Sequence, residues 1–164
     1  MTALSGRGLA PLLLALLFAA TVACDRTTKR LAVQTLAGTP ARTFLGGTVT
    51  VLYAENTGGF LSLGAGLSPA IRGTVFVGAT GLLLVLVSVV IVRRQDPWSL
   101  LGAALFVAGG ASNWVDRAAH GKVVDFLNLG IGSLRTGVFN VADIAIMAGL
   151  LLLVVIELRP HGES

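Results

Sequence analysis

The sequence predicts a single-domain, mainly α membrane protein: four transmembrane helices with a small β sheet lying on the membrane surface. Three observations predict it. The 164 residues are 54% hydrophobic and only 12% charged, with a mean hydropathy of +0.85, whereas a soluble domain carries about 25% charged residues. Four apolar stretches approach the roughly 20 residues that a spanning helix needs. A polar stretch, 26–70, separates the first from the second and contains a β-branched run.

Segment one is 8–24. It follows Arg7, and residues 9–25 read LAPLLLALLFAATVACD. An apolar run, small residues and then the sole cysteine, Cys24, have the outline of a bacterial lipoprotein leader, which is cut just before a lipid-bearing cysteine. Thr21-Val22-Ala23 is only a loose version of the small-residue cleavage site, and a lipoprotein precursor needs no further spans. A retained first helix is the better reading. Segment two, 73–92, is rich in Leu and Val and ends at Arg93-Arg94. Segment three, about 98–114, is opened by Pro97-Trp98, a proline suited to the first helical turn. It also holds Gly102, Gly109, Gly110 and Asn113; small residues of this kind let transmembrane helices approach closely. Segment four is about 138–158.

Within 26–70, TVTVLYAE (48–55) follows a Gly46-Gly47 turn and predicts a strand, with a second short strand around 59–64. Such backbone cannot face lipid, so a small sheet on the membrane surface is expected. Four spans put both termini on one side. With the ends inside, the inner bases are Arg7, Arg93, Arg94 and Arg159; the outer ones are Arg26, Lys29, Arg30, Arg42, Arg72, Arg117, Lys122 and Arg135. The raw count opposes ends-inside, whereas the tight Arg93-Arg94 pair in a short loop supports it. Charge alone does not choose.

Several chemistries are excluded. One cysteine makes no intramolecular disulfide, and in apolar surroundings Cys24 reads as an inert core thiol. His120 and His161 do not make a His-rich metal site, and His120 reads as a solvated residue of a polar turn. The net charge of +4 suits a neighbour of anionic lipid, but the bases are scattered and aromatics are 6%, so no nucleic-acid stacking platform is present. Ser62 and Ser112 lack a GxSxG context. Phosphate-loop and metal-ligand spacings are missing.

The acids are more informative. Of eight acidic residues, Glu157 and Glu163 lie at the tail, Asp96 beside Arg93-Arg94, and Glu55 at the end of the expected strand. Asp25, Asp116, Asp125 and Asp143 lie in or beside apolar segments, where an aspartate at a helix centre costs about 2.5 to 3.5 kcal/mol. On a helix, GGASNWVDR (109–117) puts Asn113, Asp116 and Arg117 on one face; Asp116 and Arg117 read equally as a structural ion pair. VVDFLNL (123–129) places Asp125 in a half-buried strand or loop. FNVADIAI (139–146) sets Asn140 and Asp143 three apart. With a helix start near Val138, Asp143 lies roughly 7 to 8 Å below the surface, either functional or as a hydrogen-bonded structural aspartate. What remains is carboxylate chemistry. Two close aspartates do not readily both ionise. The charged one takes a proton from water, and the protonated one donates to a carbonyl or leaving amine.

Five blocks carry a resemblance: CDRTTK (24–29), ENTGGFLSLG (55–64), GGASNWVDR (109–117), KVVDFLNL (122–129) and GVFNVADIAIM (137–147). In this order and beside these spans, the chain resembles lipoprotein signal peptidases, also called signal peptidase II, over nearly its whole length. The resemblance implies a membrane aspartyl endopeptidase of four transmembrane helices, with a small antiparallel β-rich cradle on the outer membrane surface. It implies both termini in the cytoplasm of a bacterial inner membrane, and an active site near the outer leaflet. The substrates would be lipid-modified prolipoproteins, cut before a diacylglyceryl-modified cysteine; membrane lipids would be its other partners, with no cofactor, metal or nucleic acid. By motif position the catalytic pair would be Asp125 and Asp143. Asn56, Asn113, Arg117 and Asn140 match positions lining the family's site, while Asp25, Lys29 and Asp116 match orienting or structural positions. Two departures bear on substrate contacts: Arg26 stands where glutamine is usual, and NTGGFLSLG replaces the commoner NxGAAF pattern. A different class, a non-enzymatic membrane module or proton-linked transporter fragment, would spread polar groups across the bilayer; segment two and most of segment four carry none.

Overall fold

The computed structural model describes residues 6–59, 66–93 and 96–158. The second strand expected around 59–64 falls almost wholly on residues 60–64, outside those described, as do Arg94, Arg159 and the tail.

Helix α1 (Gly6–Leu36) has 31 residues. Its apolar run stops at Cys24, yet the helix continues for about three more turns. The continuation DRTTKRLAVQTL has no Gly or Pro to stop it, and Asp25 and Lys29 pair across one turn at 2.7 Å. Ala32 and Leu36, four apart, bury against Phe126 of the sheet. The first strands therefore begin only after Leu36, within the expected 26–70 stretch.

Helix α2 (Pro69–Gly73) starts earlier than expected because Ser68 caps it, accepting from the Ile71 N–H at 3.4 Å, and Pro69 suits the first turn. It runs through a π-helical stretch, Thr74–Ala79, into α3 (Thr80–Val92). Helix α4 (Pro97–His120) is capped by Asp96, which accepts from the Ser99 N–H at 2.7 Å, and it ends at Gly121, whose φ of 70° is left-handed. Helix α5 (Val141–Glu157) begins three residues later than expected. Phe139 still belongs to the sheet: its N–H donates to the Leu127 carbonyl at 2.8 Å.

Three described helical stretches, Leu9–Leu36, Ala70–Val90 and Pro97–His120, are long and apolar enough to cross a membrane. Helix α5, with 17 residues, rises about 25 Å. The most apolar window of α4 is 44% buried, against 6% in the first stretch and none in the second, so α4 is the central helix. It packs tightly on α5. A Cβ at Gly109 would collide with the Ala142 carbonyl oxygen, and one at Gly149 with that of Gly102.

Strands β1 (Arg42–Phe44), β2 (Val49–Asn56), β3 (Val123–Ile131) and β4 (Leu134–Arg135) form one antiparallel sheet in that order. Strand β2 matches the expected TVTVLYAE run, and β3 settles the strand-or-loop question for Asp125. Ala54 faces Asp125 and Asn56 faces Val123, with a bulge between Val51 and Ala54. Asn56 and Asp125 are therefore diagonal neighbours on one face of the sheet. Among the described residues ten buried side chains are polar or charged and nine are hydrophobic, so the centre of the molecule is polar while its helical flanks are apolar.

Candidate active site

Four elements deliver the polar centre. The far half of α1 contributes Asp25 and Lys29, and α4 contributes Ser112, Asn113, Asp116 and Arg117. The ends of β2 and β3 bring Asn56 and Asp125, and the start of α5 brings Asn140 and Asp143. All of these except Arg117 are buried.

Asn140 joins the two candidate catalytic aspartates. Its side-chain nitrogen donates to Asp125 Oδ1 at 2.6 Å, and its backbone N–H donates to Asp143 Oδ2 at 3.1 Å. The second contact is half of a capping box, because the Asp143 N–H returns a bond to Asn140 Oδ1 at 3.0 Å. Asp143 is thus the third residue of α5, held at the helix mouth by the cap, because α5 starts three residues later than expected. Asn56 Nδ2 donates to Asp125 Oδ2 at 2.8 Å, and Asn113 Nδ2 to Asp143 Oδ1 at 2.9 Å. Each aspartate therefore accepts two N–H bonds. Burial pushes the Asp125 carboxyl above its usual range; the Asn56 and Asn140 hydrogen bonds and the charges of Lys29 and Arg117 pull it back.

A second layer supports this one. Lys29 Nζ lies 2.7 Å from Asn113 Oδ1, 2.8 Å from Asp116 Oδ2 and 2.7 Å from Asp25 Oδ2. Asp25 also accepts from Ser112 Oγ at 2.7 Å and from the Ala142 N–H at 2.9 Å, tying α1 to α4 and α5. Arg26 reaches Asp116 Oδ1 at 2.6 Å.

The structure corrects two expectations. Asp116 pairs with Arg26 and Lys29 and not with Arg117. Arg117 instead donates from Nε to the Gly58 carbonyl at 2.9 Å, its guanidinium 5.9 Å from the Phe76 ring centroid. Cys24 is exposed on α1 and is not a core thiol. His120 is exposed at the end of α4, as expected of a solvated residue.

Sequence reasoning missed the contacts of Ser112, Arg26 and Gly58. Ser112 was weighed only as a nucleophile, although it lies four residues before Asp116 on the polar face of α4. Arg26 had an acidic partner 90 positions away, which no local pattern reveals. Gly58 acts through its backbone and left no side-chain signal.

The fold and site define a class: a membrane protein whose apolar helices and small antiparallel sheet enclose a buried pair of hydrogen-bonded carboxylates. The chain belongs to the signal peptidase II family, since residues 17–159 match the family model described as Signal peptidase (SPase) II. A lipoprotein signal peptidase of Desulforapulum autotrophicum is 33% identical over 135 residues, 81% of this chain and 83% of that one. One of Solibacter usitatus is 32% identical over 144 residues, 87% and 88% of the two chains. A bacterial membrane enzyme solved by the in meso method at 2.3 Å resolution shares the fold, with a TM-score of 0.79 and 21% identity over 93% of this chain and 94% of that one.

Proposed function

We propose that the chain is an aspartic endopeptidase that removes signal peptides from prolipoproteins, cutting before a diacylglyceryl-modified cysteine. The observation that carries this reading is the Asp125–Asn140–Asp143 linkage, two buried carboxyl groups joined through one asparagine. Family membership supports the substrate class.

One aspartate starts ionised and the other protonated. The ionised carboxylate takes a proton from water, and the water oxygen bonds to the scissile carbonyl carbon. The carbonyl π pair moves to oxygen, which takes the proton of the second carboxyl. The resulting gem-diol collapses as the second carboxylate takes back a hydroxyl proton. The carbon–nitrogen bond breaks, and the leaving amine takes its proton from the first carboxyl. Arg117 and the asparagines hold the substrate backbone beside the pair; such alignment supplies much of the barrier reduction. Asp25, Lys29 and Asp116 act as positioning residues. In this reading α5 is the fourth span, both termini are cytoplasmic, and the site opens near the outer leaflet of a bacterial inner membrane.

The test is a gel-shift assay with purified protein in detergent. Cleavage of a lipidated precursor, with the unlipidated precursor spared, is the expected result. Equal cleavage of both overturns the assignment of the lipid as a recognition element; cleavage of neither overturns the peptidase reading.

A further inference from the structure

Away from Asp125 and Asp143, the polar half of α1 borders a cavity of about 510 Å³. Four cationic side chains face two carboxylates in its wall, and both carboxylates are already engaged. Glu55 accepts from Tyr53 at 2.6 Å and from Lys122 at 2.8 Å. Asp116 takes Arg26 and Lys29. Arg30 differs from the other bases. It lies one turn beyond Arg26 on α1, is exposed, and has no ion pair or hydrogen bond with a described residue. Two apolar side chains, Val33 and Val124, share the wall with it.

The depth of this cavity is set by the sequence. The apolar run of α1 ends at Cys24, and Arg26 and Arg30 follow two and six residues later. At about 1.5 Å per residue they stand roughly 3 and 9 Å beyond the hydrocarbon. The headgroup layer on each side of a bilayer is about 5 to 8 Å thick, so the two arginines bracket the level of lipid phosphates. A planar guanidinium matches a phosphodiester with paired N–H donors.

We infer that this cavity seats the headgroup of an anionic phospholipid, with Arg30 contacting its phosphodiester. The cavity shares Lys29 and Asp116 with the layer that positions the aspartates, but Arg30 itself lies outside the peptidase machinery, and lipid binding there does not depend on cleavage.

The full-length protein in detergent is titrated with phosphatidylglycerol and, separately, with phosphatidylcholine of the same chains, and bound lipid is read by native mass spectrometry. Phosphatidylglycerol is retained about fivefold over phosphatidylcholine; Arg30→Glu abolishes the preference, and Arg30→Lys keeps most of it. Thermal unfolding in the same detergent checks that Arg30→Glu is folded, and Arg30→Gln serves in its place if it is not. In a third arm, inorganic phosphate at equal concentration leaves the bound phosphatidylglycerol in place. Displacement by phosphate makes this a free-anion site and overturns the lipid assignment. Equal retention of the two lipids, or a preference that survives both Arg30→Glu and Arg30→Gln, overturns the proposal.

Discussion

Lys29 donates to the side-chain oxygen of Asn113 at 2.7 Å, while the amide nitrogen of the same asparagine donates to Asp143 at 2.9 Å. An ammonium has no acceptor, so it admits one orientation of the Asn113 amide, the one that turns N–H toward the aspartate. Backbone N–H groups hold the other two asparagines the same way. Asp143 N–H donates to Asn140 Oδ1 and Gly58 N–H to Asn56 Oδ1, each at 3.0 Å. Three amides are thus pinned by their oxygens and present their nitrogens to the carboxyl pair. Each carboxyl accepts two N–H bonds, and at Asp125 these favour the ionised form that burial opposes.

Removing the ammonium should be costly. Lys29→Met leaves Asp25 and Asp116 buried without their shared cation, and breaking a buried ion pair costs about 3 to 5 kcal/mol. Thermal unfolding in detergent should show a large drop in midpoint. An unchanged midpoint would mean that the network does not hold α1 against α4.

Arg26→Gln should behave differently, although Arg26 contacts the same Asp116. The Arg26 side chain is 31% exposed, so water screens the pair, and Asp116 keeps Lys29. The expected cost is below about 1 kcal/mol, with cleavage retained. A loss as large as that of Lys29→Met would give Arg26 a structural weight that its exposure does not suggest.

Asp125→Asn and Asp143→Asn should each lower turnover of lipidated precursor by about 10²- to 10⁴-fold, with expression and folding kept. The amide oxygens still accept one N–H each, so the network survives in part. Near-full activity in either variant removes that residue from the catalytic pair.

These residues show how far the sequence could be read. The apolar runs announced the helices because lipid-facing surface is written locally, and TVTVLYAE announced β2 by its β-branched alternation. The spacing of Asn113, Asp116, Asn140 and Asp143 placed them on helix faces or ends. The extension of α1 to Leu36 was not legible, since it depends on Ala32 and Leu36 meeting Phe126 some 90 residues away. Nor was the bulge that aligns Asn56 with Asp125, or the capture of Phe139 by β3 that delays α5. Each is a pairing between distant segments, invisible to periodicity.

The contact between α4 and α5 sets the distance between Asn113 and Asp143. Gly109→Ala puts a methyl group against the Ala142 backbone carbonyl, which cannot rotate away as a side chain can. The expected destabilisation is about 1 to 3 kcal/mol, with a fall in cleavage because the start of α5 is pushed off Asn113. A variant as stable and active as the parent would show that this interface yields freely.

The last prediction concerns pH. Asn56 donates to Asp125 and holds its carboxyl down against the opposing effect of burial. Asn56→Ala removes that donor, so the Asp125 value rises further. The two aspartates titrate as a pair, and whichever limb of the pH–rate profile Asp125 governs should move to higher pH in the variant. Stability follows the same sign. A carboxyl whose folded value lies above its unfolded one binds its proton first in the folded state. Its contribution to stability therefore falls as pH rises from the unfolded value through the folded one, and Asn56→Ala should widen that interval upward. Glu55 runs the other way, since hydrogen bonds from Lys122 and Tyr53 lower it: its contribution is present above its unfolded value and lost as pH falls. Profiles of kcat against pH for the parent and Asn56→Ala, together with unfolding midpoints across the acid range, test both signs. A limb that stays put or moves to lower pH would mean that Asn56 does not tune the carboxyl it touches.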